Sequence, residues 1–261
     1  MQKLSLAGHI EELRRRLFSS VIVFLVSFAI SIYFRDVILK FVLFPHLKIM
    51  SKLNLPQRLY TFGYSENFMV QMKICAIVAL VFCFPYILFQ IFKFTSAGLY
   101  APEKKVIWFT YLPLSIFLFL CGATLGYVLL IPTGLEFLAK FGFGDTIHPL
   151  MNLGTYVSLF FLLVFMTGAV FELPLFMMVL AHMGLLSSIH FRSFRSWAIL
   201  LSFIVGGILT PPDPLTQLFL AVPFVILYEI GILLSRWVEP RLSENSHSEA
   251  RRAEESRRLR R

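Results

Sequence analysis

The sequence predicts an all-α integral membrane protein with six transmembrane helices, the last two of them short, and with the N and C termini in the cytoplasm. Three observations carry this prediction. The chain of 261 residues is 57% hydrophobic and only 15% charged, so polar groups cannot cover its surface in water. Several of its apolar runs approach the 20 residues or so that a helix needs to cross a bilayer core of roughly 30 Å. Its Lys and Arg residues are unevenly shared between the segments that separate those runs.

Each apolar run is expected to be helical, because an open strand cannot satisfy its backbone hydrogen bonds in lipid. Together the runs form one predicted membrane domain, residues 1–236. Its six spans are residues 17–34, 68–92, 107–130, 155–180, 197–209 and 215–234. The segment between the first two spans has mixed polarity and contains prolines, so we expect it to form short interfacial helices that cap one end of the bundle.

The fifth predicted span is shorter than a bilayer. Its 13 residues, 197–209, give roughly 20 Å of helix. The sequence TPPDP then turns the chain directly back, and its prolines and aspartate are incompatible with a lipid-facing helix. We therefore expect a locally thinned membrane beside the last two spans.

The distribution of basic residues predicts the orientation. Of the 24 Lys and Arg residues, 17 lie in segments on the side of the termini and six on the opposite side, with Lys73 inside the second span. The positive-inside rule then places both termini in the cytoplasm. The net charge of +9 is explained by topology, so no nucleic-acid partner is predicted. Residues 237–261 are rich in charge and are expected to be a disordered cytoplasmic tail.

Neither metal chemistry nor enzymatic activity is indicated. The three cysteines all lie in apolar runs without paired spacing, which argues against a metal site or a disulfide framework. A phosphate-binding loop and the HExxH and GxSxG motifs are absent from the sequence, so we predict no cofactor and no enzyme.

Two acidic residues fall within predicted spans. Glu172 lies in the fourth span and Glu229 in the sixth, where an acidic side chain costs about 2.5 to 3.5 kcal/mol on insertion scales. Glu172 is either a hydrogen-bonded carboxyl that joins helices or a polar site that faces a water-filled cavity or a partner helix. Glu229 raises the same question.

The turn between the last two spans has two interpretations as well. Asp213 and Gln217 are four residues apart and could share a helix face, forming a polar cluster with Thr210. Alternatively, Asp213 is the N-cap of the last helix.

The sequence HIEELRRRL, residues 9–17, carries the densest charge cluster before the first span. Apolar residues recur in it at helical spacing, which predicts an amphipathic helix that leads into the span. Glu11 with Arg15 and Glu12 with Arg16 are i to i+4 pairs, each worth about 0.2 to 0.5 kcal/mol. Arg14 is left over, and such weak pairs exchange readily with an incoming ligand.

Five motifs in a fixed order give a family resemblance. These are HIEELRRRL, the first cytoplasmic loop FTSAGLYAPEKK, and FELP, LTPPD and YEIG in the later spans. From about His9 to Arg236, the chain resembles TatC, the multi-spanning core subunit of the twin-arginine protein translocase.

The resemblance implies a function and a set of residues. A TatC protein is a signal-peptide receptor in the cytoplasmic (inner) membrane, and exports folded proteins with the proton-motive force in an oligomeric complex with TatA and TatB. Glu12 and Glu103 match the positions that receive the paired arginines of the signal peptide, with Phe94, Arg14 and Arg16 beside them. Glu172, Thr210 and Gln217 match positions linked to the groove and the partner subunits, and we add Asp213 and Glu229 as candidate intramembrane contacts.

An alternative function remains open at this stage. A small-molecule or ion transporter could use Glu172 as its coupling site. Such transporters have internal repeats with interrupted helices at matching positions, and the two halves of this sequence have no such symmetry.

Overall fold

The computed structural model describes residues 6–95, 107–142, 150–209 and 214–238. Within them the regular secondary structure is helical, and an isolated bridge pairs Tyr60 with Asn152. The helices are α1 (Leu6–Tyr33), α2 (Arg35–Lys52), α3 (Tyr64–Thr95), α4 (Leu112–Leu125), α5 (Ile131–Gly142), α6 (Leu153–Phe171), α7 (Leu173–His182), α8 (Ser188–Ser193), α9 (Arg195–Leu209) and α10 (Pro214–Val238). Two π-helical turns, Ile107–Tyr111 and Gly126–Leu130, flank α4.

Apolar helices coincide with every predicted span. Among the described residues, five stretches are long and apolar enough to cross a membrane: Glu11–Tyr33, Tyr64–Ile91, Phe109–Lys140, Leu153–His182 and Gln217–Val238. Arg195–Gly207, on the predicted fifth span, is apolar but shorter. The protein is therefore all-α with several membrane-spanning helices, and the crossing by α9 stays a prediction. Of the predicted tail, Trp237 and Val238 end α10, and the remainder lies outside the described residues.

The helices pack in a row. Antiparallel α1 lies along α3, α3 contacts α4 and α6, and α4 lies along α6. The row continues through α7, which lies along α10, and ends with α9 against α10. We call the end that holds α2 and the first turns of α3 and α6 the cap end. The opposite end, which holds the start of α1 and the last turn of α7, is the terminal end.

The largest apolar core lies at the cap end, where α2 packs on α3, α5 and α6. The segment expected to form several short helices instead contains one helix of 18 residues, α2. Polar contacts hold it there. Tyr156 donates to the carbonyl of Val42 at 2.6 Å, and Glu136 accepts from Lys52 and Lys140 at 2.9 Å each.

Glycines allow α4 and α6 to approach closely. A Cβ at Gly122 would lie 2.7 Å from the carbonyl oxygen of Thr167, and one at Gly126 would lie 3.0 Å from that of Leu163. The two glycines are four residues apart and so lie on one helix face, as in the small-residue packing motif of membrane helices. The shared contact explains why α4 and α6 run side by side in the centre of the row.

Candidate functional site

Two ion pairs are seen among the described residues of the charge cluster at the terminal end of α1. Arg16 pairs with Glu12, as predicted, and both side chains are mostly buried. Glu11 pairs with Arg14 at 3.7 Å rather than with Arg15, so the predicted Glu11–Arg15 pair is wrong. The i to i+3 spacing brings Glu11 and Arg14 together on an exposed surface, where such a pair contributes little.

A polar cavity of about 470 Å³ opens beside Glu12, between α1 and α3. We call it the α1–α3 polar cavity. Its floor is a chain of hydrogen bonds in which Gln90 donates to the Tyr86 hydroxyl at 2.6 Å, which in turn contacts the Ser19 hydroxyl at 2.7 Å. The cavity is lined by charged, polar and aromatic side chains: Glu12, Arg15, Arg16, Ser19, Tyr86, Phe89, Gln90 and Lys93.

An apolar groove of about 390 Å³ continues from this cavity along the same two helices. We call it the α1–α3 groove, and it shares Arg16 and Gln90 with the polar cavity. Its other lining residues, nearly all apolar, are Leu13, Leu17, Ser20, Val21, Phe24, Leu80, Ile87 and Ile91. The pair of pockets fits a ligand that has a charged end followed by an extended apolar segment.

The structure brings together only part of the predicted signal-peptide site. Glu12, Arg14 and Arg16 lie on the first turns of α1. Phe94 belongs to the last turn of α3, but its side chain is not among those described. Glu103 lies outside the described residues, so its position relative to Glu12 stays a prediction.

Glu172 lies at a break in the fourth predicted span. Pro174 cannot donate a backbone hydrogen bond, and the helix divides there into α6 and α7. One carboxylate oxygen, Oε2, accepts from the Ser115 hydroxyl of α4 at 2.9 Å. The other, Oε1, is buried and has no hydrogen-bond partner among the residues that the structure describes. Glu172 thus joins two helices while keeping an unused acceptor.

A second polar contact joins the same helices nearer the terminal end. The Tyr111 hydroxyl lies 2.8 Å from Nδ1 of His182, and Tyr111 stands one helical turn before Ser115. Sequence reasoning missed this pair, because its members are 71 residues apart and neither stands out alone. A polar face on the start of the third span, with Tyr111 and Ser115 four residues apart, was the available signal.

The candidates on the last two helices make contacts between α9 and α10. Gln217 donates to the Phe203 carbonyl at 2.7 Å, and its side chain packs on Gly206 and Gly207. Glu229 binds Arg195 through two bonds, of 2.6 Å to Nε and 2.7 Å to a terminal nitrogen.

Glu229 has an internal partner, whereas its contact with a partner subunit and the polar cluster at the turn stay predictions. Glu229 is compensated by an arginine fork across the helix pair, the strongest geometry for such a pair. Thr210 and Asp213 lie outside the described residues, so neither the predicted polar cluster with Gln217 nor the alternative N-cap is tested.

The titratable side chains form no evident metal site. In the described part of the chain, no group of three His, Cys, Asp or Glu side chains could hold a metal ion. Cys75 and Cys83 instead point their thiols at backbone carbonyls of α1, Ser31 and Ser20, at 3.6 and 3.7 Å. They serve as small polar contacts between α1 and α3.

The fold and the site together define a multi-pass helical membrane protein with a charged pocket at one end of the bundle. The model of the family described as Sec-independent protein translocase protein (TatC) matches residues 8–223. The chain belongs to the TatC family of protein translocase components, which are not enzymes.

Individual relatives agree over nearly the whole chain. The Sec-independent protein translocase protein TatC of Helicobacter pylori (strain J99) is 36% identical over 253 residues, which cover 96% of each protein. TatC of Aquifex aeolicus (strain VF5) is 33% identical over 235 residues, covering 88% of this chain and 94% of that protein.

Solved structures of the family have the same architecture. A crystal structure of the twin-arginine translocase receptor TatC superposes with a TM-score of 0.77 at 33% identity, covering 88% of this chain and 99% of that one. A second, in the detergent DDM, gives 0.78 at 34% identity, covering 87% and 99%. The family favours protein translocation over the alternative of a small-molecule transporter.

Proposed function

We propose that this chain is the receptor for twin-arginine signal peptides and the core of a translocase that exports folded proteins across the cytoplasmic membrane, driven by the proton-motive force. The observation that carries the proposal is the position of Glu12, which lines a polar cavity that adjoins an apolar groove. A charged pocket followed by an apolar groove matches a signal peptide, in which two arginines precede an apolar stretch. The similarity to a solved twin-arginine translocase receptor supports it.

Glu12 and Glu103 are the proposed acceptors for the two arginines. A guanidinium meets a carboxylate in two parallel hydrogen bonds, a geometry that a lysine ammonium cannot copy. Glu12 already binds a guanidinium, that of Arg16, so binding would exchange an internal arginine for that of the substrate. Arg14, Arg16 and Phe94 are proposed to border this site.

The apolar stretch of the signal peptide is proposed to lie in the α1–α3 groove. Burial of apolar surface contributes about 25 cal/mol per Å². This term would supply much of the affinity, whereas the arginines supply selection. Because affinity comes from apolar burial and selection comes from the arginines, a receptor for many different apolar segments needs only a few charged positions.

The proposed topology has six spans, with α9 as a short fifth crossing and both termini in the cytoplasm. The excess of Lys and Arg on the side of the termini supports this orientation. The terminal end then lies at the cytoplasmic surface, where Glu12 can meet a signal peptide before export. The membrane domain is proposed to comprise residues 1–236.

The intramembrane polar residues are proposed contacts for single-span partner subunits of the TatA and TatB type. The unused acceptor of Glu172 is available to a donor from another helix. The short helix α9 would thin the bilayer beside α10, near Thr210, Asp213, Gln217 and Glu229. An oligomeric complex of these subunits with this chain is proposed as the working translocase.

The test is photocrosslinking of a twin-arginine signal peptide to the full-length protein in membranes. Glu12→Ala or Glu103→Ala is expected to reduce crosslinking at least tenfold, since a charged hydrogen-bonding pair contributes about 1.5 to 3 kcal/mol. Glu11→Ala is the matched control, because Glu11 is the adjacent carboxylate and is 68% exposed. A peptide with Lys-Lys should bind the wild-type protein as weakly as the Arg-Arg peptide binds Glu12→Ala.

The proposal fails if both the Glu12 and the Glu103 variants retain wild-type crosslinking. It also fails if Glu11→Ala loses as much crosslinking as Glu12→Ala, since the effect would then be one of general surface charge.

A further inference from the structure

Arg16 has hydrogen-bonding capacity that the protein itself leaves unused. Its side chain is only 13% exposed, and one terminal nitrogen binds Glu12. Its Nε and Nη1 atoms are buried and have no hydrogen-bond partner among the described residues. A buried charged donor without an acceptor carries an uncompensated desolvation cost. These two nitrogens are therefore open to a further acceptor.

The surroundings of Arg16 favour an anion as that acceptor. Among the described residues, the cations Arg15, Arg16 and Lys93 line the α1–α3 polar cavity together with the carboxylate of Glu12. The hydroxyl and amide groups of the cavity floor offer further donors. A phosphate matches this set, because its several oxygens can each accept a charge-assisted hydrogen bond from a guanidinium nitrogen.

The α1–α3 groove indicates the chemistry of the group attached to the phosphate. It begins at Arg16 and Gln90 and is otherwise lined almost wholly by apolar side chains, among them the half-exposed Leu17 and Val21. A ligand that fills both pockets has an anionic head joined to a long apolar chain. We propose that Arg16 binds the phosphate of an anionic phospholipid and that one acyl chain of this lipid lies in the α1–α3 groove.

The headgroup charge can be inferred from the same residues. A zwitterionic lipid would bring its quaternary ammonium group beside Arg15 and Lys93, and among the described lining residues these like charges and Arg16 outnumber the carboxylate of Glu12. An anionic glycerol headgroup carries no such cation, and its hydroxyls can bond to the polar floor. The site therefore selects phosphatidylglycerol over phosphatidylcholine.

The lipid has a consequence for Glu12, and this consequence rests on the proposed function. A phosphate that engages the Arg16 fork competes with Glu12 for the same guanidinium. Glu12 is thereby made available to an arginine of the signal peptide, whose apolar stretch then displaces the acyl chain from the groove. The lipid site itself does not depend on this step.

The first experiment maps the site in the unaltered protein. The full-length chain in nanodiscs is labelled with phosphatidylglycerol that carries a photoreactive diazirine in one acyl chain, and the labelled peptides are identified by mass spectrometry. We expect labelling concentrated in residues 13–24 and 80–91 and stronger than with the matching phosphatidylcholine probe. Labelling spread evenly over the apolar helices, or equal for the two lipids, would overturn the proposal.

Variants then distinguish the contribution of the lipid headgroup from that of its acyl chain. Arg16→Gln is expected to lower labelling about tenfold, the effect of losing one charged hydrogen-bonding group. The matched control is Arg192→Gln, which removes an exposed charge from the terminal end and should leave labelling unchanged. Val21→Trp fills the groove without changing charge and should also lower labelling. If Arg16→Gln and Arg192→Gln lose labelling equally, general electrostatic attraction explains the labelling and the specific site is refuted.

A soluble competitor distinguishes a lipid from free phosphate. Glycerol 1-phosphate has the phosphoglycerol headgroup of the lipid but no acyl chain, and it should not displace the bound lipid probe. Full displacement by this compound would refute the assignment of the groove and leave a site for free phosphate. Because labelling is scored without any signal peptide, failure here is distinguishable from failure of the proposed receptor function.

Discussion

At the scale of single residues, His46 is the least compensated titratable group at the cap end. Its side chain is 1% exposed, and its ring packs against that of Tyr156 with centroids 5.3 Å apart. Neither ring nitrogen has a partner in hydrogen-bond geometry among the described residues. Burial lowers the pKa of His46, and the nearby backbone of Gln57 offsets only part of this effect. The folded protein therefore disfavours the protonated form of this ring.

This lowered pKa predicts a loss of stability in acid. The unfolded chain, with a histidine pKa near 6.5, binds the proton before the folded chain does, so the free energy of unfolding falls as the pH drops below about 6.5. His46→Phe, which cannot titrate, should reduce this slope in thermal unfolding measured from pH 7.5 to 5. The exposed His190, changed to Gln, serves as the control for the loss of a histidine as such. An unchanged slope in His46→Phe would show that other groups cause the acid sensitivity.

At the scale of elements, the contact between α4 and α6 depends on small residues. Gly122 and Gly126 bring the two backbones together, and Gly168 leaves space for the buried ring of Phe119, where a Cβ would lie 2.7 Å from the ring. Apolar burial alone does not drive helices together in lipid, so close van der Waals contact must do so. These glycines thus set the spacing in the middle of the row.

Gly122→Ala should test this spacing. The added methyl group meets the Thr167 carbonyl and the Phe171 ring at 2.7 Å, and backbone cannot move aside as a flexible side chain can. We expect a loss of about 1 to 3 kcal/mol, the usual cost of overpacking, measured as a lowered Tm in detergent. At Gly63, where an added Cβ would have only the Ser65 hydroxyl within 4.0 Å, the same change to Ala should have little effect. Equal Tm values for the two variants would contradict the close packing.

At the scale of the whole molecule, polar contacts join the helices at intervals along the row. Lys73 donates to Ser158 at 2.7 Å between α3 and α6, Ser115 and Tyr111 link the third span to α7, and Arg195 links α9 to α10. Each contact satisfies a polar group that would otherwise face lipid at a cost. Glu172 differs from the others because one of its two oxygens stays unused.

Glu172→Leu is expected to preserve signal-peptide crosslinking and to bring export of a folded reporter close to background. The reason is that the variant leaves the α1–α3 pockets untouched but removes the acceptor proposed for a partner subunit. Ser115→Ala is the control, because it removes the internal hydrogen bond while keeping the carboxylate, and it should retain most export. Wild-type export by Glu172→Leu would show that this residue serves only to join helices.

The class of fold, the apolar helices and the Glu12–Arg16 pair could all be predicted from the amino-acid sequence. These features depend on local quantities: the length of an apolar run, the balance of charge between segments, and the spacing of residues on one helix. The sequence also identified the family, because five motifs occur in a fixed order.

Which helices are neighbours became known from the three-dimensional packing. The Tyr111–His182 contact, the fork between Arg195 and Glu229, and the continuity of the polar cavity with the apolar groove all join residues distant in the chain. Lipid-facing and helix-facing apolar residues look alike in a membrane protein, so hydrophobic periodicity does not indicate which face packs. Steric fit at glycines and pairing of buried polar groups make that choice, and both are properties of two helices together.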